Sequence, residues 1–578
     1  MKLIVGLDLG TSTTVAYYRM EETEEAPHAL MDDKTYIIPT LLFRREGASQ
    51  PTEYGVKAER SVKLQRKGTL IQNFKMDLLK PAGSKERQAA EAHIKEFLSR
   101  HIFRLLWDQT LSLNFDTVLL YVSYPAKWTP GMSEFMEEIV KEAAQESDKP
   151  RRDIPIEVKG VTEPEAATYN FVVNRRKQLA EYGFLQPGEI TNVFMLDMGA
   201  GTSDIVIFQL SIDTDGVIHI DNAIPYPRVD NPYLCGGSEI DRMLQGYITD
   251  YFAGQGIDIL PKENFRLVEV KDYKEIGISE QFNKSLEAEF PANLLLFVTQ
   301  FFSQRGAEAV ESFRLDKALF EQITHEHWEK LYALIEAAML NYPYAQAEDI
   351  DLLCLTGGHS QWYLVENLFN GRGIGTLGRA GEANNHVCFS KLIRENWRIS
   401  SIKEPCPQIS VAQGMCHIGN HVTFDHRSAN NVWIQFAIND KESAREKVID
   451  FSQKLPYKTD LEMNLGTISQ QYAKETNDDY RGYIKVYTGT TPDEDNFEII
   501  PLSFTTGFLA AIFNVKYDVR AQINLSAEDN NIIRVNGHLI LTPQTTKILK
   551  KFINTQDIAF EKSNRTDTGE QTFKKTYL

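Results

Sequence analysis

The sequence contains few cysteines, and their spacing does not suggest pairs. Its 578 residues include only Cys235, Cys354, Cys388, Cys406 and Cys416, and no CxxC occurs. An odd number without that spacing favours neither a disulfide framework nor a zinc site. We therefore expect all five to be small core residues.

Long apolar runs are also missing. Nowhere do about 18 uncharged apolar residues follow one another, which is roughly what a membrane-spanning helix needs. The opening residues, MKLIVGLDLG, have neither the basic start nor the small-residue cleavage site of a secretory signal. A soluble cytoplasmic protein without a membrane partner is expected.

Positive charge is scarce as well. Lys and Arg number 62 against 80 Asp and Glu, which gives a formal net charge of -18. Nucleic-acid-binding domains generally carry a basic stripe, so nucleic acid is not an expected partner. The hydrophobic share of 42% and the charged share of 25% are typical of a globular protein. At about 150 residues per unit, the length predicts three or four structural units.

The most informative feature is a motif that occurs twice. Residues 3–18 (LIVGLDLGTSTTVAYY) and 193–210 (VFMLDMGAGTSDIVIFQL) each place Asp, Gly and Thr between two apolar runs. Each copy predicts two strands joined by a turn, and the repeat implies two similar halves. Glycine lets backbone N–H groups approach an anion closely, so both turns predict phosphate contacts. The predicted contacts are Gly10, Thr11, Ser12 and Thr13 in the first copy and Gly199, Gly201 and Thr202 in the second.

Asp8 and Asp197 occupy the same place in the two turns. A carboxylate beside a phosphate is repulsive unless a hard cation such as Mg²⁺ lies between them, usually through water. The pair therefore predicts a metal-bound nucleotide. For either copy alone, an ordinary hairpin with Asp and Gly in a tight turn remains an alternative.

Other segments add candidates. Lys75 is a charge that we expect to face the second half, and Glu163 stands at a strand end before a helix, where it could instead stabilise the helix dipole. Gly236 and Gly237 precede a predicted helix, and 357–358 form a third Gly turn after a buried strand. The GxGxxG in residues 371–381 does not predict a dinucleotide site, because no strand precedes it and no helix clearly follows.

From about residue 430 the pattern changes to short alternating strands, which predict an all-β module. The polar end of the chain, from residue 550, is predicted to be mobile.

With these motifs in hand, the chain resembles the 70-kDa heat-shock chaperone family of the actin-like ATPase superfamily. The shared motifs, in the family's order, are GLDLGTSTTVA, YPAKW, TEPEAA, LDMGAGTSDI, GGSEID and LTGGHS. The resemblance implies an α/β fold, a duplicated actin-like (ribonuclease H-like) two-lobed ATPase domain, followed by an all-β sandwich. The implied boundaries are 1–425 for the ATPase domain (lobe I about 1–185, lobe II about 186–400, then a last helix returning to the lobe interface), 430–548 for a substrate-binding-like sandwich and 549–578 for a mobile tail.

The resemblance also implies ATP or ADP with Mg²⁺ as cofactors, and it implies roles for single residues. Asp8 and Asp197 would hold the water shell of the metal, and Thr11 and Thr202 would contact the γ-phosphate. The other implied roles are catalytic positioning by Lys75, Glu163, Asp197 and Asp204, interdomain relay by Pro125, adenosine contact by Lys274, and nucleotide contact by Gly236, Gly237, Gly357 and Gly358.

The chain departs from the family pattern at five places. Ala200 replaces one of three consecutive glycines, and Ser133 replaces the arginine that follows the YPAKW motif. The arginine of the family's GGSxR turn is replaced by Gln361, no Asp-Leu-Leu-Leu linker occurs between Ile418 and Trp433, and little chain remains for a helical lid. The main hypothesis is a slow, Mg-dependent ATPase that couples cleft closure to the binding of an extended peptide or a dedicated protein partner, with co-chaperones as further partners. The alternatives are a nucleotide-regulated scaffold or pseudo-ATPase, a filament-forming actin-like ATPase, and a sugar or acetate kinase, for which the sequence offers no separate base.

Overall fold

A computed structural model provides the coordinates. It describes residues 1–21, 26–47, 52–64, 66–81, 83–126, 128, 130–147, 154–226, 235–256, 270, 273–278, 290–291, 313–345, 349–365, 402–403, 407–419, 422–428, 430–438, 441–469, 480–489, 491, 497–504, 515–527, 533–544 and 556–561.

The N-terminal part of the chain forms a mixed sheet, the first sheet, in the order β3-β2-β1-β8-β9, with β4 paired to β2. A smaller sheet of order β6-β5-β7 adjoins it. The strands are β1 (Lys2–Leu9), β2 (Thr13–Met20), β3 (His28–Ala29), β4 (Ile38–Pro39), β5 (Leu42–Arg45), β6 (Glu53–Tyr54), β7 (Gly68–Ile71), β8 (Thr117–Tyr124) and β9 (Ile156–Thr162).

Helices cover the first sheet and supply most of the apolar partners of its core. Residues 85–110 are helical, but one π-helical turn, Leu98–Ile102, interrupts the α-helix. The Ser84 hydroxyl caps its start by accepting from the backbone N–H of Arg87 at 3.2 Å. The helices are α1 (Gly55–Lys63), α2 (Phe74–Asp77), α3 (Lys85–Phe97), α4 (Phe103–Thr110), α5 (Pro130–Glu146), α6 (Glu163–Asn174) and α7 (Arg176–Glu181).

A second mixed sheet follows in the order β16-β15-β10-β11-β12-β17. Its strands and two short neighbours are β10 (Thr191–Met198), β11 (Ser203–Ile212), β12 (Ile218–Tyr226), β13 (Phe290–Pro291), β14 (Arg314–Leu315), β15 (Leu352–Thr356), β16 (Ile402–Lys403) and β17 (Val422–His426). The helices of this part are α8 (Gly237–Gly254), α9 (Lys317–Asn341) and α10 (Ser410–Met415).

The two sheets share one local arrangement. In the first, β1 pairs antiparallel with β2 and parallel with β8. In the second, β10 pairs antiparallel with β11 and parallel with β15. The two predicted hairpins are therefore confirmed, and each occupies the same position relative to a parallel neighbour.

One apolar core lies between the two sheets. It combines residues of β1, β8, β10 and β11 with residues of α6 and α10. The backbones approach closely here, because a Cβ at Gly414 would collide with the carbonyl oxygen of Ala166 in α6. Packing of α10 against α6 thus ties the last helix before residue 420 to both sheets.

The segment after α10 forms a strand rather than a free linker. β17 extends the edge of the second sheet by pairing parallel to β12, with Ile218 opposite Val422. No local pattern in the sequence predicts this strand, which lies where the family's linker motif is missing.

An all-β module follows, as predicted. One sheet has the order β19-β18-β22-β23, with β20 paired to β18, and the other has the order β21-β24-β25-β26. Burial alternates strictly along most of β24, which places its apolar side chains in the module's core. The strands are β18 (Asn431–Ile438), β19 (Lys441–Glu442), β20 (Glu446–Ile449), β21 (Tyr457–Ser469), β22 (Tyr480–Gly489), β23 (Phe497–Phe504), β24 (Lys516–Ala527), β25 (Ile533–Gln544) and β26 (Gln556–Glu561).

The predicted tail, 549–578, needs a correction. Strand β26 lies inside it and pairs antiparallel with β25, with Leu539 opposite Ile558. The backbone of residues 556–561 finds its hydrogen-bond partners along β25. The polar sequence of this segment does not reveal those partners.

Three further expectations concern the cysteines, the GxGxxG segment and membrane-spanning helices. Cys235, Cys354 and Cys416 are buried thiols that form no disulfide with one another, whereas Cys388 and Cys406 lie outside the described residues. The GxGxxG of 371–381 also lies outside them. Among the helices that the structure describes, none is both long and apolar enough to cross a membrane.

Candidate functional site

Four acidic side chains meet at the ends of the central strands. Asp8 lies near the end of β1, and Asp197 lies near the end of β10, opposite Asp204 of β11 in the strand register. Glu163 begins α6, directly after β9. Asp197 is only 6% exposed and Asp204 only 1% exposed, so these two carboxylates are largely shielded from water.

Burial and mutual repulsion change the ionisation of these acids. Burial, followed by the charge of Glu163, raises the pKa of Asp8 to about 6 and that of Asp204 to about 7. Burial also raises the pKa of Asp197 well above its usual range, and the neighbouring carboxylates add to this effect. Ionising all of these carboxyl groups at once is therefore unfavourable without a further positive charge.

Lys75 supplies a positive charge within this cluster. Its Nζ lies 2.9 Å from Oε1 of Glu163, and the two side chains are 3% and 13% exposed. The ammonium group also lies 5.5 Å from the centre of the Trp128 ring. The ion pair joins α2 to the start of α6, 88 positions apart in the sequence.

The two predicted phosphate turns lie against each other. A Cβ at Gly201 would stand 2.5 Å from Oγ1 of Thr11 and 3.2 Å from Sδ of Met76. The backbone N–H of Gly199 donates to the carbonyl of Thr202 at 2.9 Å, which closes the second turn. The first turn is braced by Thr40, whose N–H and hydroxyl donate to the carbonyls of Ser12 and Gly10 at 3.0 Å each.

The start of α8 joins the second turn. The backbone N–H groups of Gly237 and Ser238 donate to the carbonyls of Gly199 and Ala200 at 3.0 and 2.8 Å. Gly236 packs so tightly that a Cβ there would overlap the backbone of Gly201. The positive end of the α8 dipole is therefore directed at the same cleft.

The third glycine turn completes the arrangement. Gly357 has φ +79, and a Cβ there would collide with Oδ1 of Asp197 and the carbonyl of Met198. Gly358 is exposed and lies beside Gln408. Lys274 is buried beside Gly237, where its Nζ pairs with Asp241 at 2.7 Å and donates to the Gly237 carbonyl at 3.1 Å.

The structure thus brings most of the predicted residues together. Five of the six charged candidates interact with one another, namely Asp8, Lys75, Glu163, Asp197 and Asp204. The glycine turns of 10–13, 199–202, 236–237 and 357 adjoin these side chains or one another. Pro125 is buried and precedes Ala126, whose N–H donates to Oδ1 of Asp204 at 2.7 Å. Gly358 and Lys274 are the outlying members, because Gly358 faces solvent and Gln408, and Lys274 pairs with Asp241.

Sequence reasoning missed two neighbours of the acids. The Ser123 hydroxyl donates to Oδ1 of Asp8 at 2.7 Å, and Trp128 lies beside Lys75. Ser123 could have been found from strand pairing, because β8 runs parallel to β1 with Val122 opposite Leu7. For Trp128, the only signal in the sequence was its place in the YPAKW motif.

The chemistry of this cluster suits a hydrated Mg²⁺ ion beside a phosphate. Asp8, Asp197, Asp204 and Glu163 provide carboxylate oxygens, which such a cation prefers. A cation would also offset the burial and mutual repulsion that raise the pKa values of the three aspartates. Within the part of the chain that the structure describes, no three acidic, His or Cys side chains are arranged to hold one ion directly.

Comparison with known proteins gives a partial match. No protein-family model matches the chain. Chaperone protein DnaK of Thermotoga neapolitana is 27% identical over 188 residues, which is 32% of this chain and 28% of that relative. The chain is distantly similar to DnaK chaperones. DnaK of Thermosipho melanesiensis and of Thermosipho africanus are each 28% identical, over 187 and 186 residues and with the same shares. The match spans less than a third of the length of these relatives.

Proposed function

We propose that this chain is a chaperone-like protein that binds Mg·ATP in the cleft between its two sheets and hydrolyses it slowly. The observation that carries the proposal is the meeting of three glycine turns and four carboxylates, of which Asp197 and Asp204 are buried, near the ends of the central strands. Ligands of open parallel sheets bind beyond the carboxyl ends of the strands, and β1 and β10 each have a parallel neighbour. The distant similarity to DnaK supports the chaperone-like part of the proposal.

In this proposal the phosphates lie between the two hairpin turns. Backbone N–H groups and the hydroxyls of Thr11, Ser12, Thr13 and Thr202 donate to the phosphate oxygens, and Asp8 and Asp197 hold the metal through water. Mg²⁺, when bound, neutralises charge on the phosphate oxygens. Contacts from both turns, which already adjoin at Thr11 and Gly201, would draw the two halves together around ATP.

The attacking water needs orientation more than a strong base, because phosphoryl transfer is governed by positioning and charge. Lys75, fixed by Glu163 and Trp128, can donate to such a water. Asp204, with its pKa near 7, can accept a proton from it. Both groups are held in place, Lys75 by its ion pair with Glu163 and Asp204 by the N–H of Ala126.

We also propose the larger architecture that the family resemblance implies. The ATPase domain would be the duplicated actin-like fold over 1–425, with lobes at about 1–185 and 186–400. Its support is the shared hairpin and parallel-neighbour arrangement in both sheets. The β module would then begin near 430 and extend through β26 rather than end at 548.

The junction offers a route from the cleft to the β module. His426, in β17, lies 2.8 Å from Oε1 of Glu165, two residues after Glu163 in α6. Beyond β17, the hydroxyl of Tyr344 lies 2.6 Å from Oγ of Ser452. A shift of α6 on hydrolysis would therefore act on β17, and the β module would respond by binding or releasing an extended peptide or a dedicated partner.

The proposal is tested by Mg-dependent ATP hydrolysis under single-turnover conditions. The Asp197→Ala variant should lose hydrolysis while its circular dichroism spectrum stays unchanged. Asp215→Asn, which removes the charge of an exposed turn residue, is the matched control and should behave as wild type. Wild-type turnover in Asp197→Ala would overturn the assignment of the cleft.

A pseudo-ATPase remains a second candidate because of His359. This side chain is 5% exposed and lies within the third turn, where the family pattern has a small serine beside the missing arginine. A wild-type protein that binds ATP with Mg²⁺ but shows no turnover would favour this candidate.

A further inference from the structure

We propose that Glu239, His327 and His359 form a buried relay that presents the bare Nδ1 of His359 as a hydrogen-bond acceptor for the nucleoside half of the bound nucleotide. This inference rests on the proposed nucleotide function. It assigns to His359 a specificity role, and to Glu239 and His327 a positioning role.

The relay is a chain of three side chains from separate elements. Oε2 of Glu239, in the first turn of α8, lies 2.7 Å from Nδ1 of His327 in α9. Nε2 of His327 lies 3.2 Å from Nε2 of His359, in the turn after β15. His327 is fully buried, and the Trp328 ring stacks on His359 with centroids 5.6 Å apart.

The bonds determine which nitrogen carries each proton. Burial alone would raise the pKa of Glu239, but hydrogen bonds from His327 and Lys330 lower it to about 2, so its carboxylate is ionised at neutral pH. Burial lowers the pKa of both histidines, which are therefore neutral.

An ionised carboxylate can only accept, so Nδ1 of His327 carries the proton and its Nε2 is bare. The Nε2 of His359 must then donate to Nε2 of His327. Nδ1 of His359 is left with a lone pair.

That lone pair lies beside the α8 terminus. Nδ1 of His359 is 3.4 Å from the position of a Cβ at Gly237, and Nζ of Lys274 is 3.5 Å from the same point. Gly237 in turn donates its N–H to Gly199 of the second phosphate turn. A nucleotide whose phosphates occupy the hairpin turns would thus extend past Gly237 towards His359.

The type of group that Nδ1 can contact follows from its lone pair. A neutral acceptor repels phosphate oxygens and attracts a donor, and the donors of an adenosine nucleotide are its ribose hydroxyls and its 6-amino group. Among the described residues, none donates to this nitrogen. The ligand is therefore the expected partner.

The test compares ADP with 2′-deoxy-ADP, 3′-deoxy-ADP and the 6-deamino analogue by isothermal titration in Mg²⁺. One analogue should bind the wild type about 3- to 10-fold more weakly than ADP, the range for one neutral hydrogen bond. His359→Gln should lower the affinity for ADP by the same factor. This variant should bind that analogue as tightly as it binds ADP. His359→Asn keeps an acceptor oxygen near the position of Nδ1 and should restore the preference. The control is His325→Gln, an exposed position on α9.

Histidine ¹⁵N spectra provide a readout that needs no variant. They should show His359 protonated at Nε2, with a change in the Nδ1 signal when ADP binds. Equal binding of ADP and all three analogues by the wild type, or an Nδ1-protonated His359, would overturn the inference while leaving the nucleotide function standing. Failure of the wild type to bind any nucleotide would overturn both.

Discussion

The ion pair of Lys75 and Glu163 makes a strong prediction about stability. Replacing Lys75 by Met removes a positive charge from a cluster that holds Asp8, Asp197 and Asp204 as well as Glu163. Both side chains of the pair are nearly buried, at 3% and 13% exposure. Removing one partner of a buried pair costs about 3–5 kcal/mol, because the other charge is left uncompensated.

The cost should depend on pH. At pH 8 the unpaired Glu163 faces ionised neighbours, so the full 3–5 kcal/mol or so should appear. Near pH 5 the neighbouring acids are largely protonated, since the pKa values of Asp8 and Asp204 are raised to about 6 and 7. The repulsion is then relieved, and the destabilisation should shrink.

Calorimetric unfolding measures this effect in the transition that includes the first sheet. At roughly 2–4 °C per kcal/mol, Lys75→Met should lower that Tm by roughly 6–20 °C at pH 8. Lys63→Met, which breaks an exposed pair with Glu59, should lower it by little, because surface pairs contribute about 0–1 kcal/mol. The double variant Lys75→Met/Glu163→Gln should recover most of the loss. If Lys75→Met unfolds at the same temperature as Lys63→Met at pH 8, Lys75 does not neutralise the cluster.

Three more predictions follow from the same contacts. Burial raises the folded-state pKa values of Asp8 and Asp204, so the folded state binds more protons than the unfolded state. The stability of the ligand-free protein should therefore fall as pH rises through about 6 to 7. A series of Tm measurements across this pH range should show a smaller fall for Asp204→Asn. Gly357→Ala should weaken ATP binding at least about tenfold in titrations, because the added Cβ would strike Asp197. Gly183→Ala controls for backbone strain, because Gly183 has φ +84 and open space around it. Equal binding by both variants would refute the contact argument. ATP should change the rate at which proteases cut within 420–435. Glu165→Ala should remove that change by breaking the contact to His426. If ATP does not change the cutting of the wild type, the cleft and the β module are not coupled.

The parts of the fold that the sequence predicts well are those written in local patterns. Asp8 and Asp197 each stand inside a single hairpin, so residue order alone predicts their turns and their equivalence. The strict alternation in β24 likewise predicts a half-buried strand from neighbouring residues only.

What the sequence did not predict depends on contacts between distant segments. The relay joins Glu239, His327 and His359, which lie 88 and 32 positions apart, and no local spacing connects them. β17 forms because β12 offers a free edge, and β26 forms because β25 does. Neither edge is visible in the residues of the strand that fills it.

The central claim is that the acidic cleft binds nucleotide through a metal ion. The most direct measurement is a calorimetric titration of the full chain with ATP, performed once with Mg²⁺ and once with EDTA. Saturable binding at one site with Mg²⁺, at least about tenfold weaker in EDTA and in the Asp8→Asn variant, is the predicted result. No binding in either condition, or equal binding with and without the metal, would contradict the claim.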